Sequence, residues 1–170
     1  MTDLIIREGT PAEAEAIHAL ICAHLEEGHL LPRTLEDVRR HAGRFVICEV
    51  AGEITACGEL APLSRTVAEV RSLVVSREYR RVGLAARMLG ALRDRARAGG
   101  FETLSTFTRD ARFFVRQGFS IVPHLWVPEK IARDCQSCAL FRRCPQYGLV
   151  LPLAPVLRFA APGTRPAAVA

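Results

Sequence analysis

Lysine is nearly absent from this 170-residue sequence: Lys130 stands alone beside 22 arginines. The arginines behind the net charge of +5 are scattered along the chain. That spread argues against a nucleic-acid surface and for a solvated exterior or a small anionic ligand. No apolar run approaches the length needed to cross a bilayer, and Met1 to Arg7 lack the charged start and apolar core of a signal peptide. A cytoplasmic protein that binds neither nucleic acid nor membrane is expected. Six cysteines without an export signal read as reduced thiols, so a disulfide framework is not expected. Internal repeats are missing, as are Gly-x-Gly-x-x-Gly and Gly-Lys-Ser/Thr, which argues against a dinucleotide fold and a nucleotide P-loop.

The residues that are present suit one domain with one core. Leu4 to Arg7 reads as a short strand. Thr10-Pro11-Ala12-Glu13 combines a Thr cap, a proline at the first helical position and a glutamate three residues past the cap. The spacing of Ala16, Ile17, Leu20, Ile21 and Leu25 predicts a helix continuing to Gly28, and Thr34 with Asp37 opens a second. Phe45 to Val50 and Ile54 to Leu63 form a hairpin about Ala51-Gly52-Glu53, followed by a strand from Val67 to Val75. Leu84, Met88, Leu89 and Leu92 mark a helix that Gly99-Gly100 ends.

Beyond it come a strand Thr103 to Phe107, a helix Ala111 to Gln117, a strand Phe119 to Val122, a short helix opened by Pro128-Glu129, and a strand Tyr147 to Leu153. The expected fold is therefore α+β, with a mixed central sheet of six to seven strands and flanking helices. Residues 1–153 form the domain, and the Pro/Ala-rich stretch 154–170 reads as a disordered tail.

Arg80-Arg81-Val82-Gly83-Leu84-Ala85 lies between a strand and a helix. A diphosphate needs converging N–H donors with no side chains in the way, and the first turn of a helix offers unpaired N–H groups at its positive end. Gly83 and Ala85 clear that space, while Arg80 and Arg81 add charge. The plain alternative is a helix start that merely carries arginines and a glycine.

Arg80-x-x-Gly83-x-Ala85 after Leu73-Val74-Val75 resembles the acetyl-CoA signature of the GNAT superfamily, and the element order resembles that family's fold. The resemblance covers roughly residues 4 to 153. It implies acetyl-CoA as co-substrate, with the loop Arg80, Arg81, Val82, Gly83, Leu84 and Ala85 holding its pyrophosphate. By the same resemblance Leu73, Val74 and Val75 pair with the pantetheine arm. Leu31-Pro32-Arg33-Thr34, Glu69 to Val75, Tyr79-Arg80, Thr108-Arg109, Phe113-Phe114 and Gly118-Phe119 resemble amino-acid N-acetyltransferase, the N-acetylglutamate synthase of arginine biosynthesis. Pro128-Glu129-Lys130 and Asp134 to Cys138 look like short stand-alone members.

That resemblance implies L-glutamate as the acceptor. Arg33 then binds a substrate carboxylate, Ser72 contacts the acceptor amine, and Arg143 or Arg142 binds a second carboxylate. Glu69 takes a proton from the ammonium through water, and Thr108 or Tyr147 stands in as proton donor to the leaving thiolate, because Phe113 and Phe114 occupy the region where relatives carry a tyrosine. Read without it, Arg33 is a surface arginine and Glu69 a sheet-edge glutamate. Another small amine, a polyamine, a protein N-terminus, or a non-catalytic acyl-CoA sensor are the competing functions, and a homodimer stays open.

Cys135-x2-Cys138-x5-Cys144 has thiolate-ligand spacing with His124 as the nearest fourth ligand. Structural free thiols are favoured over a structural zinc, and no metal is needed for the chemistry. Cys22, Cys48 and Cys57 read as core residues, and His18, His24, His29 and His41 as surface or packing residues.

Overall fold

A computed structural model describes residues 4–153, so the expected tail 154–170 lies outside the described residues. The strands are β1 (Leu4–Glu8), β2 (Phe45–Val50), β3 (Glu53–Pro62), β4 (Val67–Val75), β5 (Thr103–Thr108), β6 (Ser120–Val122) and β7 (Tyr147–Pro152). They form one seven-stranded sheet in the order β1-β2-β3-β4-β5-β7-β6. Among the described residues, only the β4–β5 pair is parallel. The helices are α1 (Ala14–Cys22), α2 (Leu35–Arg40), α3 (Leu84–Ala98), α4 (Arg112–Arg116) and α5 (Pro128–Lys130).

The sheet is covered on both faces. Leu84, Met88, Leu89 and Leu92 of α3 pack with Leu60, Val70, Val75 and Leu104 on one side. Ile17, Leu20 and Ile21 of α1 pack with Ile47, Cys57 and Val74 on the other. Each helix thus buries the stripe that its 3.6-residue period puts on one face.

Two expectations need correction. The helix expected to run to Gly28 ends at Cys22; a 3-10 turn at Leu25–Glu27 follows, and Gly28 closes it at φ 77°. Cys22 is exposed rather than core. It lies off the Ala14–Ile17–Ile21 stripe, with its Sγ 3.5 Å from His18 Nε2. Cys48 and Cys57 are buried.

The first turn is tied to the sheet by charge. The Glu13 carboxylate accepts from the Thr10 N–H at 2.8 Å and from Arg7 at 2.5 Å, while Arg7 also reaches Glu49 at 2.6 Å. The Arg7 hydrogen bond holds the Glu13 pKa down at about 2, from an ordinary 4.5, against a smaller upward push from burial. A depressed carboxylate pKa contributes stability that is complete above pH 4.5 and is lost as pH falls toward 2. Glu13→Gln is expected to lower the unfolding free energy by roughly 0.5 kcal/mol at pH 7, the scale of a half-exposed pair. In urea unfolding the gap between the two proteins should shrink at pH 3; an equal gap at both pH values would refute the assignment.

Candidate active site

β4 changes partner halfway along. Val67 to Val70 pair with Thr103 to Thr106 of β5, but β4 runs on to Val75 along β3 while β5 continues to Thr108 along β7. From Arg71 to Val75 the edge of β4 therefore has no strand beside it on the β5 side. An open edge of this kind can pair with an extended chain of amides.

The register explains why the strand diverges there. Cys57 faces Val74 and Glu59 faces Arg71, so β4 carries one residue more than β3 across this interval. That is a β-bulge, with Ser72 in left-handed backbone at φ 48°. Opposite it stands Gly58, where a Cβ would fall 2.9 Å from Leu92 Cδ1 and 3.2 Å from Leu73 Cδ1. A side chain at Gly58 would displace the Leu92 and Leu73 side-chain ends that pack over it.

Below the open edge, β4 leads into α3 through the Arg80–Ala85 loop. Gly83 takes φ 81° as the N-cap of α3, and Arg81 takes φ 66°. The first helical N–H to find its carbonyl is Arg87, on Gly83, so the preceding N–H groups point out of the helix start. Leu84 is buried and anchors the turn; Val82 is 68% exposed. Arg81 is exposed, whereas the Arg80 guanidinium donates to Val75 O at 2.9 Å and to Glu27 at 2.9 Å. Arg80 therefore ties the loop to the end of β4 and to the turn after α1. These features leave unpaired N–H groups at a helix start beside an open strand edge, a cradle of the kind that suits an anion.

A cavity of about 470 Å³ adjoins this edge. Its floor is the sheet face that carries Glu59, Ala61, Glu69 and Arg71, which register pairing places side by side. Its walls include Arg33 from the loop before α2 and Lys130 and Asp134 from the turns after β6. His18 on α1 fixes the Arg33 loop through its ring nitrogen, 2.9 Å from Arg33 O. Thr34 caps α2 by accepting from the Asp37 N–H.

Two charge networks fill the cavity wall. Arg33 donates to Glu59 at 2.7 Å and to Asp37 at 2.5 Å, and lies 3.4 Å from Ser72 Oγ. Burial pushes its pKa down, but Glu59 and Asp37 outweigh that and raise it. Glu69 accepts from Lys130 at 2.9 and 3.0 Å and from Arg71 at 2.6 Å. Asp134 accepts from Lys130 at 2.8 Å and from Arg71, closing a ring of alternating charge. Burial resists the charge on Asp134, yet Lys130 holds its pKa below the ordinary value. Lys130 also lies 5.2 Å from the centre of the Phe107 ring.

The structure thus brings Arg33, Glu69, Ser72, Leu73 and Thr108 to one cavity. Glu69 is 3% exposed inside the sheet, not a sheet-edge residue. The Thr108 hydroxyl is engaged with the backbone of Asp110 at 3.2 Å. Tyr147 is 50% exposed and does not line the cavity, and neither does Arg143. Arg143 stands with Arg142 on the exposed turn Phe141–Arg143, lining a separate shallow depression. Sequence reasoning passed over Glu59, Arg71, Lys130 and Asp134 as site residues. The signals were a glutamate inside the apolar run of β3, an i,i+2 Glu–Arg pair on one strand face and an i,i+4 Lys–Asp pair.

The cysteine positions offer little. Burial pushes the Cys57 thiol up to about 12, with Arg33 pulling the other way, so it stays protonated. Burial likewise raises Cys135, against the pull of Lys130. The His124 ring nitrogen bonds to Gln146 O at 2.9 Å. Among the described residues, no group of three or more His, Cys, Asp or Glu is gathered to hold a metal.

Glu59 is 1% exposed, with Arg33 against it at 2.7 Å and Arg44 farther off at 4.0 Å, so removing Arg33 leaves a buried carboxylate without its close cation. Arg33→Ala is expected to cost about 3–5 kcal/mol of stability in chemical denaturation. Adding Glu59→Gln should recover most of that loss; no recovery would mean that Arg33 stabilises by packing alone.

Comparison with known proteins agrees with this geometry. Residues 13–119 match the model of the Acetyltransferase (GNAT) family. An uncharacterized N-acetyltransferase of Chlorobaculum tepidum is 27% identical over 148 residues, covering 87% of this chain and 96% of the relative. The amino-acid acetyltransferase of Pseudomonas putida is 34% identical over 118 residues, 68% of this chain but only 27% of the longer relative. Among solved structures, the N-acetylglutamate synthase of Neisseria gonorrhoeae, complexed with coenzyme A and N-acetyl-glutamate, superposes with TM-score 0.80 at 26% identity. The match covers 91% of this chain and 36% of that one. A Mycobacterium tuberculosis protein solved with CoA shares the fold, with TM-score 0.74 at 18% identity over 88% of this chain and 99% of that one. This chain thus belongs to the GNAT family, as an acetyl-CoA-dependent N-acetyltransferase.

Proposed function

We propose that the protein acetylates the α-amino group of L-glutamate. The observation that carries this reading is Arg33, a largely buried guanidinium facing the cavity beside the open β4 edge, with Ser72 within reach. A planar guanidinium recognises a carboxylate through two parallel hydrogen bonds. Similarity to the P. putida amino-acid acetyltransferase and to the N. gonorrhoeae N-acetylglutamate synthase supports the same acceptor.

In this reading acetyl-CoA lays its pantetheine along Leu73, Val74 and Val75, and its pyrophosphate meets the N–H groups from Val82 to Ala85, with Arg80 and Arg81 nearby. The acceptor nitrogen attacks the thioester carbonyl directly. Its N–C bond forms as the C–S bond breaks, and no acyl group passes through the protein. Glu69 receives the ammonium proton through water. The thiolate takes up a proton at the cavity wall, which Thr108 lines. Tyr147 would have to move inward to serve, and Arg143 to reach a carboxylate. Any structural zinc at Cys135, Cys138 and Cys144 would stand outside this chemistry.

Release of CoA measured against a panel of amino acids tests the acceptor. Glutamate should exceed neutral amino acids by tenfold or more in kcat/KM. Arg33→Lys keeps a cation against Glu59 but loses the fork, so it should raise the KM for glutamate about tenfold and leave that for acetyl-CoA unchanged. Equal rates with bulk amines would end the glutamate reading.

The cofactor cradle has its own test. Gly83 needs a left-handed backbone, which costs other residues about 1–2 kcal/mol. Gly83→Val is therefore expected to raise the KM for acetyl-CoA several-fold with the glutamate KM little altered; the opposite pattern would detach the loop from the cofactor.

A further inference from the structure

The two networks in the cavity have the same construction. Each has one carboxylate that belongs to the sheet and is sealed in: Glu59 at 1% exposure under Arg33, and Glu69 at 3% under Lys130 and Arg71. Each also has a second, more exposed carboxylate delivered by a helical turn. Asp37 side-chain exposure is 35%, and that of Asp134 is 31%. Asp37 stands on the six-residue α2, and Asp134 on the π-turn Ile131–Cys135. Such turns recur at functional sites.

A sealed carboxylate cannot leave its cation without stranding a buried charge, but one that is a third exposed can rotate into water at a smaller cost. Asp37 and Asp134 are therefore the exchangeable partners. The cations they release differ in kind: Arg33 offers a fork, and Lys130 with Arg71 offers a guanidinium and an ammonium converging on one point, the Asp134 carboxylate. The two positions share one cavity, and the Glu59 charge acts on both arginines.

We propose that Lys130 and Arg71 form the receptor for the second carboxylate of the acceptor, and that Asp134 occupies this receptor until the acceptor displaces it. The inference rests on the acceptor reading above and extends it. A dicarboxylic amino acid places one carboxylate on Arg33 and the other on Lys130 and Arg71. The ring of charge stays balanced, because the ligand carboxylate replaces that of Asp134 while Glu69 keeps its place. Arg143, on its exposed turn, is not needed.

Kinetics with glutamate and with glutamine, its neutral isostere, separate this role from a structural one. Lys130→Gln should raise the KM for glutamate about tenfold and that for glutamine by less than twofold. Asp134→Asn removes the internal competitor and leaves both cations on Glu69, so it should lower the KM for glutamate several-fold without helping glutamine. A Lys130→Gln effect equal on both acceptors, or an Asp134→Asn variant with a raised glutamate KM, would overturn the proposal. Glutarate binding, followed by calorimetry, keeps the two levels apart. If glutamate proves a poor acceptor, the acceptor reading fails, yet glutarate bound by the parent protein and lost in Lys130→Gln still supports the receptor. Glutarate that binds neither protein, or both equally, removes the receptor whatever the acceptor is.

Discussion

Glu59 and Glu69 lie on neighbouring central strands, almost fully out of solvent, and a buried carboxylate persists only with a cation against it. Meeting that requirement shapes the cavity. Arg33 must reach in from the loop between α1 and α2, and Lys130 from the turn after β6, so segments nearly a hundred residues apart converge on one sheet face. His18 and the Thr34 cap hold the first of these segments in place. The concentration of charge that results would be costly in an ordinary core. Here it lines a cavity, where the same cations can meet a ligand.

The second constraint is the single extra residue in β4. Before it, Glu69 and Arg71 point to the cavity side while Val70 packs under α3. After it the alternation inverts, so that Val74 packs under α1 and Val75 under α3. One residue thus lets a strand present charge in its first half and close both cores in its second. The same distortion turns β4 away from β5 and opens the edge that leads into the α3 cradle. The cavity face, the open edge and the helix start are successive stretches of one strand–loop–helix unit.

Much of this was legible in the chain. Helical period marked α1 and α3, alternation and turn residues marked the hairpin and β4, and Gly83 between strand and helix marked the start of α3, because each of these signals is local. Arg33 and Glu69 were singled out through resemblance, since neither residue type at its own position says anything about a partner elsewhere. The pairing of Arg33 with Glu59, and of Lys130 with Glu69, depends on loops closing over many residues.

Spacings of a few residues were enough to set the order of elements, their buried stripes and the glycine at the start of α3. Tertiary structure alone decided which charges meet, that Glu69 lies inside the sheet, that Arg143 and Tyr147 stand apart from the cavity, and that Cys22 faces out. The physical reason is that periodicity fixes the face on which a residue sits. The register across strands, and the bulge that reverses that face at Ser72, arise only when β3 and β4 pair about Gly58.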